Sequence, residues 1–334
     1  MAAKGATRWI TFVAAVAFGA ATAAADGMLT DFAYPHPTKS FVFTSQGADL
    51  TMVYMDVAAT GAPNGRTAVL FHGKNFCGAT WEGQIAPLAA AGYRVIVPDQ
   101  IGFCKSTKPA AYQMSLHGLA ANTKALLAHA GVTQKPILIG HSMGGMLATR
   151  YALSFPADTA ALVLVNPIGL EDWSAKGVPA RTVDELLEAE RKTDTARIEA
   201  YQQKTYYDGR WRPEFDRWVA MLASTYRGPH AESAMLSQAR ASDMIFAQPV
   251  VHEFPRLAVP TVLLIGEKDT TAIGKDRAPP EIAATLGHYS ELAREAETRI
   301  PGARLVTFPH LGHAPHIEEP DALNAALLDA LGRL

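Results

Sequence analysis

Apolar runs and amphipathic stretches alternate along this chain. Ser40 to Thr44 and Leu50 to Val57 form two strand-like runs separated by Ser45-Gln46-Gly47, a hairpin signal. Six further short runs are nearly continuously apolar and rich in β-branched residues: Thr67 to Phe71, Arg94 to Val97, Pro136 to Ile139, Ala161 to Val165, Thr261 to Ile265 and Arg304 to Phe308. Such runs suit strands buried on both faces of a parallel sheet. Between them lie helical patterns at Trp81 to Ala91, Leu116 to Ala130, Met143 to Ser154, Tyr289 to Thr298 and Asp321 to Leu331. Strand–helix alternation predicts an α/β fold with a mostly parallel sheet and right-handed crossovers. The alternation stops once, over residues 168–257. No buried strand is legible there, and Tyr201, Tyr206, Tyr207, Trp211, Trp218 and Tyr226 stand among charged residues. This stretch reads as a helical insertion above the sheet, or as amphipathic helices whose aromatics seal them to the core. The predicted division is core 26–167, insertion 168–257 and core 258–334.

The N-terminus has a different character. Lys4 and Arg8 precede an apolar run from Trp9 to Ala21, and Ala23-Ala24-Ala25 follow it. A positive start, a short apolar core and small residues predict a signal peptide over residues 1–25, cleaved between Ala25 and Asp26. The run is short of the ~20 residues that a spanning helix needs. No cysteine follows it, so neither a membrane anchor nor a lipid anchor is expected, and the protein is expected to be periplasmic or secreted. Of 334 residues, 49% are hydrophobic and 19% charged, which suits a globular protein. Losing Lys4 and Arg8 from 30 basic side chains leaves 28 against 32 acidic ones. With no Lys/Arg-rich run, nucleic acid is not an expected partner. Cys77 and Cys104 are the two cysteines. In an oxidising compartment they form a candidate disulfide, and otherwise two small buried thiols.

The strand before residue 140 runs into Gly140-His141-Ser142-Met143-Gly144-Gly145, and a helix follows. G-x-S-x-G between strand and helix places the hydroxyl of Ser142 on a sharp turn at a helix N-terminus, where the dipole favours developing negative charge. A serine that only caps the helix is the plainer alternative. A nucleophilic hydroxyl needs a base. His313, in a loop between the last strand and the final helix, lies at the carboxyl edge of the sheet with Ser142; His310 and His316 are its neighbours and rivals. The spacing of these three histidines on a loop defines no common face, so no metal is expected. Asp269, directly after the strand ending at Ile265, is the candidate to orient the imidazole, with Glu267 and Asp243 as alternatives. The order Ser, Asp, His matches the hydrolase plan. The backbone N–H groups of Met143 and of Lys74, in the turn His72-Gly73-Lys74-Asn75, are the candidate oxyanion donors.

Taken together, HGKNFCGATW (72–81), PDQIGFCKS (98–106), GHSMGG (140–145), LLIGEKD (263–269) and LGHAPHIEEP (311–320) resemble the α/β-hydrolase superfamily, in its branch of lid-bearing esterases and carbon–carbon bond hydrolases. The resemblance spans residues 40 to 332. It implies an eight-stranded sheet, a helical lid after the sixth strand and hydrolysis through an acyl-enzyme without a cofactor. Serine at position 142 argues against the branches that carry aspartate there. One departure is Gly102-Phe103-Cys104-Lys105-Ser106, where relatives usually read G-x-G-x-S. In the family's strand order the strands preceding Cys77 and Cys104 are neighbours, which implies a Cys77–Cys104 disulfide bracing the oxyanion loop. The expected function is hydrolysis of a small to medium, fairly apolar carboxylic ester. Carbon–carbon or amide bond hydrolysis by the same three residues, and a non-catalytic ligand-binding protein of this fold, are the alternatives.

Overall fold

The computed structural model describes Met1 and residues 26–334. The expected signal segment therefore lies outside the described residues. Eight strands form one sheet: β1 (Thr38–Ser45), β2 (Ala48–Val57), β3 (Thr67–Phe71), β4 (Arg94–Pro98), β5 (Ile137–Ser142), β6 (Ala161–Pro167), β7 (Thr261–Gly266) and β8 (Arg304–Phe308), in the order β1-β2-β4-β3-β5-β6-β7-β8. Pairings from β4 to β8 are parallel, and β2 is antiparallel to both β1 and β4. The β1–β2 turn is tighter than the three-residue signal suggested. Ser45 pairs with Ala48, and Gln46 and Gly47 both take positive φ (+52° and +73°), a twist that matches the flanking strands.

Successive strand residues face opposite cores. Val69, Phe71, Leu138, Leu162, Leu164 and Leu263 pack with α2 (Leu116–His129), α3 (Met143–Ser154) and α9 (Tyr289–Arg299). Ala68, Leu70, Ile137, Ile139, Val163 and Leu264 pack with α1 (Glu82–Ala90) and α11 (Pro320–Gly332). This two-sided burial explains why the central runs read as unbroken apolar segments. The expectation fails for Arg304 to Phe308. As the edge strand β8, every one of its residues is only half-buried.

Between β6 and β7 the chain is helical: α4 (Val183–Arg191), α5 (Thr195–Tyr201), a π-helical turn at Gln202–Tyr206, α6 (Asp216–Thr225) and α7 (Ala231–Ala247). Two short helices, α8 (Pro280–Ala283) and α10 (Pro315–Glu318), flank the last strand and complete the helices. No helix among the described residues is long and apolar enough to cross a membrane.

Cys77 and Cys104 are disulfide-bonded, joining the loops that leave the neighbouring strands β3 and β4. Cys104 has φ of +51°, a region that favours glycine. The left-handed conformation suits the glycine that the family resemblance implies at this position. Here a cysteine occupies the left-handed position and is held by its bond to Cys77.

Candidate active site

Three loops at the carboxyl edge of the sheet meet beneath the helical segment. The first is the turn from β5 to α3. Ser142 sits at φ +56° and its side chain caps no helix amide, so the plainer capping reading does not hold. The turn is steric in origin. A Cβ on Gly140 would lie 2.2 Å from the Gly144 carbonyl oxygen, and one on Gly144 would lie 2.2 Å from the Phe71 oxygen. No side chain fits at either place. Met143 opens α3, so its N–H has no intrahelical acceptor.

The second loop follows β3. Gly73 packs so closely on the serine that a Cβ there would lie 2.9 Å from the Ser142 Cβ. His72 fastens this turn: Nδ1–H donates to Gly73 O at 2.8 Å and Nε2 accepts from Gln100 N–H at 3.0 Å. Both ring nitrogens are used by a neutral imidazole, and burial holds its pKa below the usual value. The Lys74 ammonium is directed away, to Glu190 of α4 at 2.8 Å, where Tyr226 also donates at 2.6 Å. Gln238 of α7 donates to the Lys74 carbonyl at 3.2 Å. The turn is thus tied to the helical segment from two sides.

The third group joins the ends of β7 and β8. Asp269, 1% exposed, accepts from His313 Nδ1–H at 2.6 Å and from Asn166 Nδ2 at 3.0 Å on Oδ2, and from Thr271 N–H at 2.8 Å on Oδ1. His313 is fully buried. Its N–H donates to Tyr206 O at 2.8 Å, its carbonyl accepts from His141 Nε2–H at 2.8 Å, and its ring stacks on Tyr206 at 4.7 Å. Nε2, opposite the aspartate, is buried without a hydrogen-bond partner. No hydrogen bond joins it to Ser142 in this structure. Asp269 and His313 are brought together, with Ser142 following directly on His141, which holds the His313 carbonyl.

The rivals are placed differently. His310 is exposed, and Glu267 lies 3.8 Å from Arg294. Asp243 sits half-buried on α7. His316 is buried with neither ring nitrogen partnered, and burial lowers its pKa to about 3. Reading the sequence missed Asn166, whose Oδ1 also accepts from Gly266 N–H at 2.8 Å and thereby fixes the turn beneath Asp269. Its signal was a polar residue ending the apolar run of β6. It also missed Tyr206, for which a helical pattern gives no register above His313. Among the described residues one group could offer several metal donors: His72, Asp99 and Cys104, with atoms within 4.8 Å of one another. The cysteine is committed to the disulfide and the histidine to two backbone groups, so these residues do not fit a metal.

The alpha/beta hydrolase family matches residues 68–326. A 2-hydroxy-6-oxo-6-phenylhexa-2,4-dienoate hydrolase from Burkholderia cepacia is 29% identical over 286 residues, covering 81% of this chain and 89% of that one. A 2-hydroxy-6-oxononadienedioate/2-hydroxy-6-oxononatrienedioate hydrolase from Comamonas testosteroni is 28% identical over 284 residues, with the same coverage. A crystal structure of a probable hydrolytic enzyme from Pseudomonas aeruginosa PAO1 superposes with a TM-score of 0.90 at 57% identity, covering 92% of this chain and 98% of that one. A thermophilic esterase from Thermogutta terrifontis shares the fold at a TM-score of 0.67 and 24% identity, covering 89% and 98%. By its matched residues and its architecture alike, the chain belongs to the alpha/beta hydrolase family.

Proposed function

We propose that this protein is an exported serine hydrolase that cleaves a small to medium, apolar carboxylic ester through an acyl-enzyme. One observation carries the reading: Asp269 holds His313 by Nδ1 at 2.6 Å, which leaves Nε2 buried and unpartnered at the sheet edge where Ser142 sits on a strained turn. In this reaction Ser142 Oγ attacks the ester carbonyl while Nε2 takes its proton. Asp269 stabilises the resulting imidazolium without becoming protonated itself. The amides of Lys74 and Met143 receive the oxyanion, and His313 returns the proton to the leaving alcohol. Water then repeats the sequence in reverse and frees the acid. Side chains and backbone amides of this chain suffice for each step, and the aromatic helical segment serves as a lid over an apolar pocket. The disulfide and the Trp9–Ala21 run support export to the periplasm or beyond.

The two dienoate hydrolases among the relatives favour a second reading, in which the same three residues break a carbon–carbon bond. Turnover of p-nitrophenyl esters and of a 2-hydroxy-6-oxo-dienoate, on wild type and Ser142→Ala, separates the two. Ester turnover lost in a folded Ser142→Ala variant is the expected result. Turnover of the dienoate alone replaces ester by carbon–carbon chemistry. Failure of wild type to take up a fluorophosphonate probe would leave a ligand-binding protein.

A further inference from the structure

Gly312 and His313 are gripped from outside their own loop. A Cβ on Gly312 would lie 1.9 Å from the Tyr206 carbonyl oxygen, so glycine alone lets that oxygen reach the His313 N–H. On the other side, Gly312 N–H donates to Glu318 Oε1 at 2.7 Å. Glu318 Oε2 accepts from Arg210 at 2.9 Å, and Arg210 also donates to His310 O at 2.6 Å. Arg212 donates to the Glu318 carbonyl and to Glu319 at 3.3 Å. The Glu318 side chain is 3% exposed, a costly place for a carboxylate unless it is needed.

We propose that Glu318 is a positioning residue: its carboxylate transmits the grip of Arg210, just beyond the π-helical turn, to the Leu311–Gly312 peptide that leads into His313 and so aims the imidazole at Ser142. The proposal rests on the reading of His313 as the base. Protonation of the carboxyl group weakens its charge-assisted bond to Gly312 and frees Arg210, which is half exposed and readily hydrated. Burial raises the Glu318 pKa to about 7, Arg210 and Arg212 pull it down, and Asp269 pushes it up. The buried hydroxyl of Tyr207 also feels this charge. An acid with a folded pKa above its unfolded value near ~4.3 binds protons better when folded. Its ionisation therefore costs stability as pH rises from that unfolded value to about 7. Glu318 weakens the fold at alkaline pH while ordering the base.

That opposition makes the test selective. With p-nitrophenyl butyrate, Glu318→Gln is expected to lower kcat on the order of 10²-fold, as misplacement of a reacting group does, with KM little changed. Its Tm at pH 8 is expected to equal or exceed that of wild type. The acidic limb of kcat against pH is expected to lose one ionisation in Glu318→Gln and to move to higher pH in Arg210→Ala. Wild-type kcat and limb in Glu318→Gln overturn the proposal. So does a fall in Tm alongside kcat while Arg210→Ala leaves the limb in place. Ser142→Ala runs in parallel. If it retains turnover, the reading of the site fails; if it is inactive while Glu318→Gln behaves as wild type, only this inference fails.

Discussion

The serine turn and the histidine loop reach the same point by different means. Around Ser142 everything is local. A strand ends, a helix begins six residues after the strand started, and glycines at 140 and 144 remove the atoms that would clash with Gly144 and Phe71. Around His313 almost nothing is local. Its imidazole is held by Asp269 after β7, its N–H by Tyr206, its carbonyl by His141, and the amide before it by Glu318. A strained turn needs a rigid scaffold, which β5 and α3 supply from one stretch of sequence. An imidazole loop held at several points needs partners in several directions, and no short loop carries enough donors and acceptors to hold itself.

The comparison is sharpened most by Asp269→Asn. The substitution keeps the shape and removes the charge, so kcat for ester hydrolysis should fall roughly 10⁴-fold with the fold intact by circular dichroism. Gly144→Ala attacks the other side. A Cβ 2.2 Å from a backbone oxygen has nowhere to move, and a loss of about 3 kcal/mol or more in urea unfolding is expected. If the variant keeps wild-type stability, the serine turn is not the rigid half of the site.

A third measurement concerns the disulfide that braces the loop after β3. Cys77 and Cys104 are 27 residues apart, and removing both as a double serine variant should cost about 3–4 kcal/mol. Acid sensitivity is the fourth. His72, His141 and His316 are buried, with pKa values lowered by desolvation. The unfolded chain gains protons below pH ~6.5 that these rings refuse, so stability falls as pH drops below that value; for His316 the fall continues towards about 3, by up to roughly 1.4 kcal/mol per pH unit. His316→Phe should flatten the fall in Tm between pH 6 and pH 4, readings set at about half a unit below the free histidine value and near the carboxylate range. An unchanged slope would show that His316 does not contribute to it. The smallest effect is expected from Lys74→Ala. The backbone amide survives, and Glu190 keeps the Tyr226 hydroxyl when its charge-assisted bond to Lys74 is lost, so kcat/KM should drop no more than about ten-fold.

Legibility follows the same division. The runs at 67–71, 94–97, 161–165 and 261–265 became strands within a residue or two, because burial on both faces writes itself into an unbroken apolar segment. Arg304 to Phe308 looks the same in sequence yet lies half-buried at the edge, since composition does not record which strand is last. The positions of Ser142, Asp269 and His313 at strand ends were legible because loops after parallel strands gather at one edge. Asn166 was not, because its role depends on Gly266 and Asp269, about 100 residues away. The same holds for Tyr206, Arg210 and Glu318, which meet only when the helical segment folds over the last loop.

The amino-acid sequence by itself determined the alternation that builds the sheet, the glycine-framed turn at Ser142 and the chain order of hydroxyl, carboxylate and imidazole. These depend on neighbours along the chain: side-chain size, strand periodicity and turn chemistry act over a few residues. Only the tertiary structure decided which carboxylate holds the imidazole, which histidine stays unpartnered in the interior and what grips the loop between them. Those choices are made by hydrogen bonds across 44 and 172 residues of sequence, the separations from Asp269 and His141 to His313, and such bonds exist only once the layers have packed.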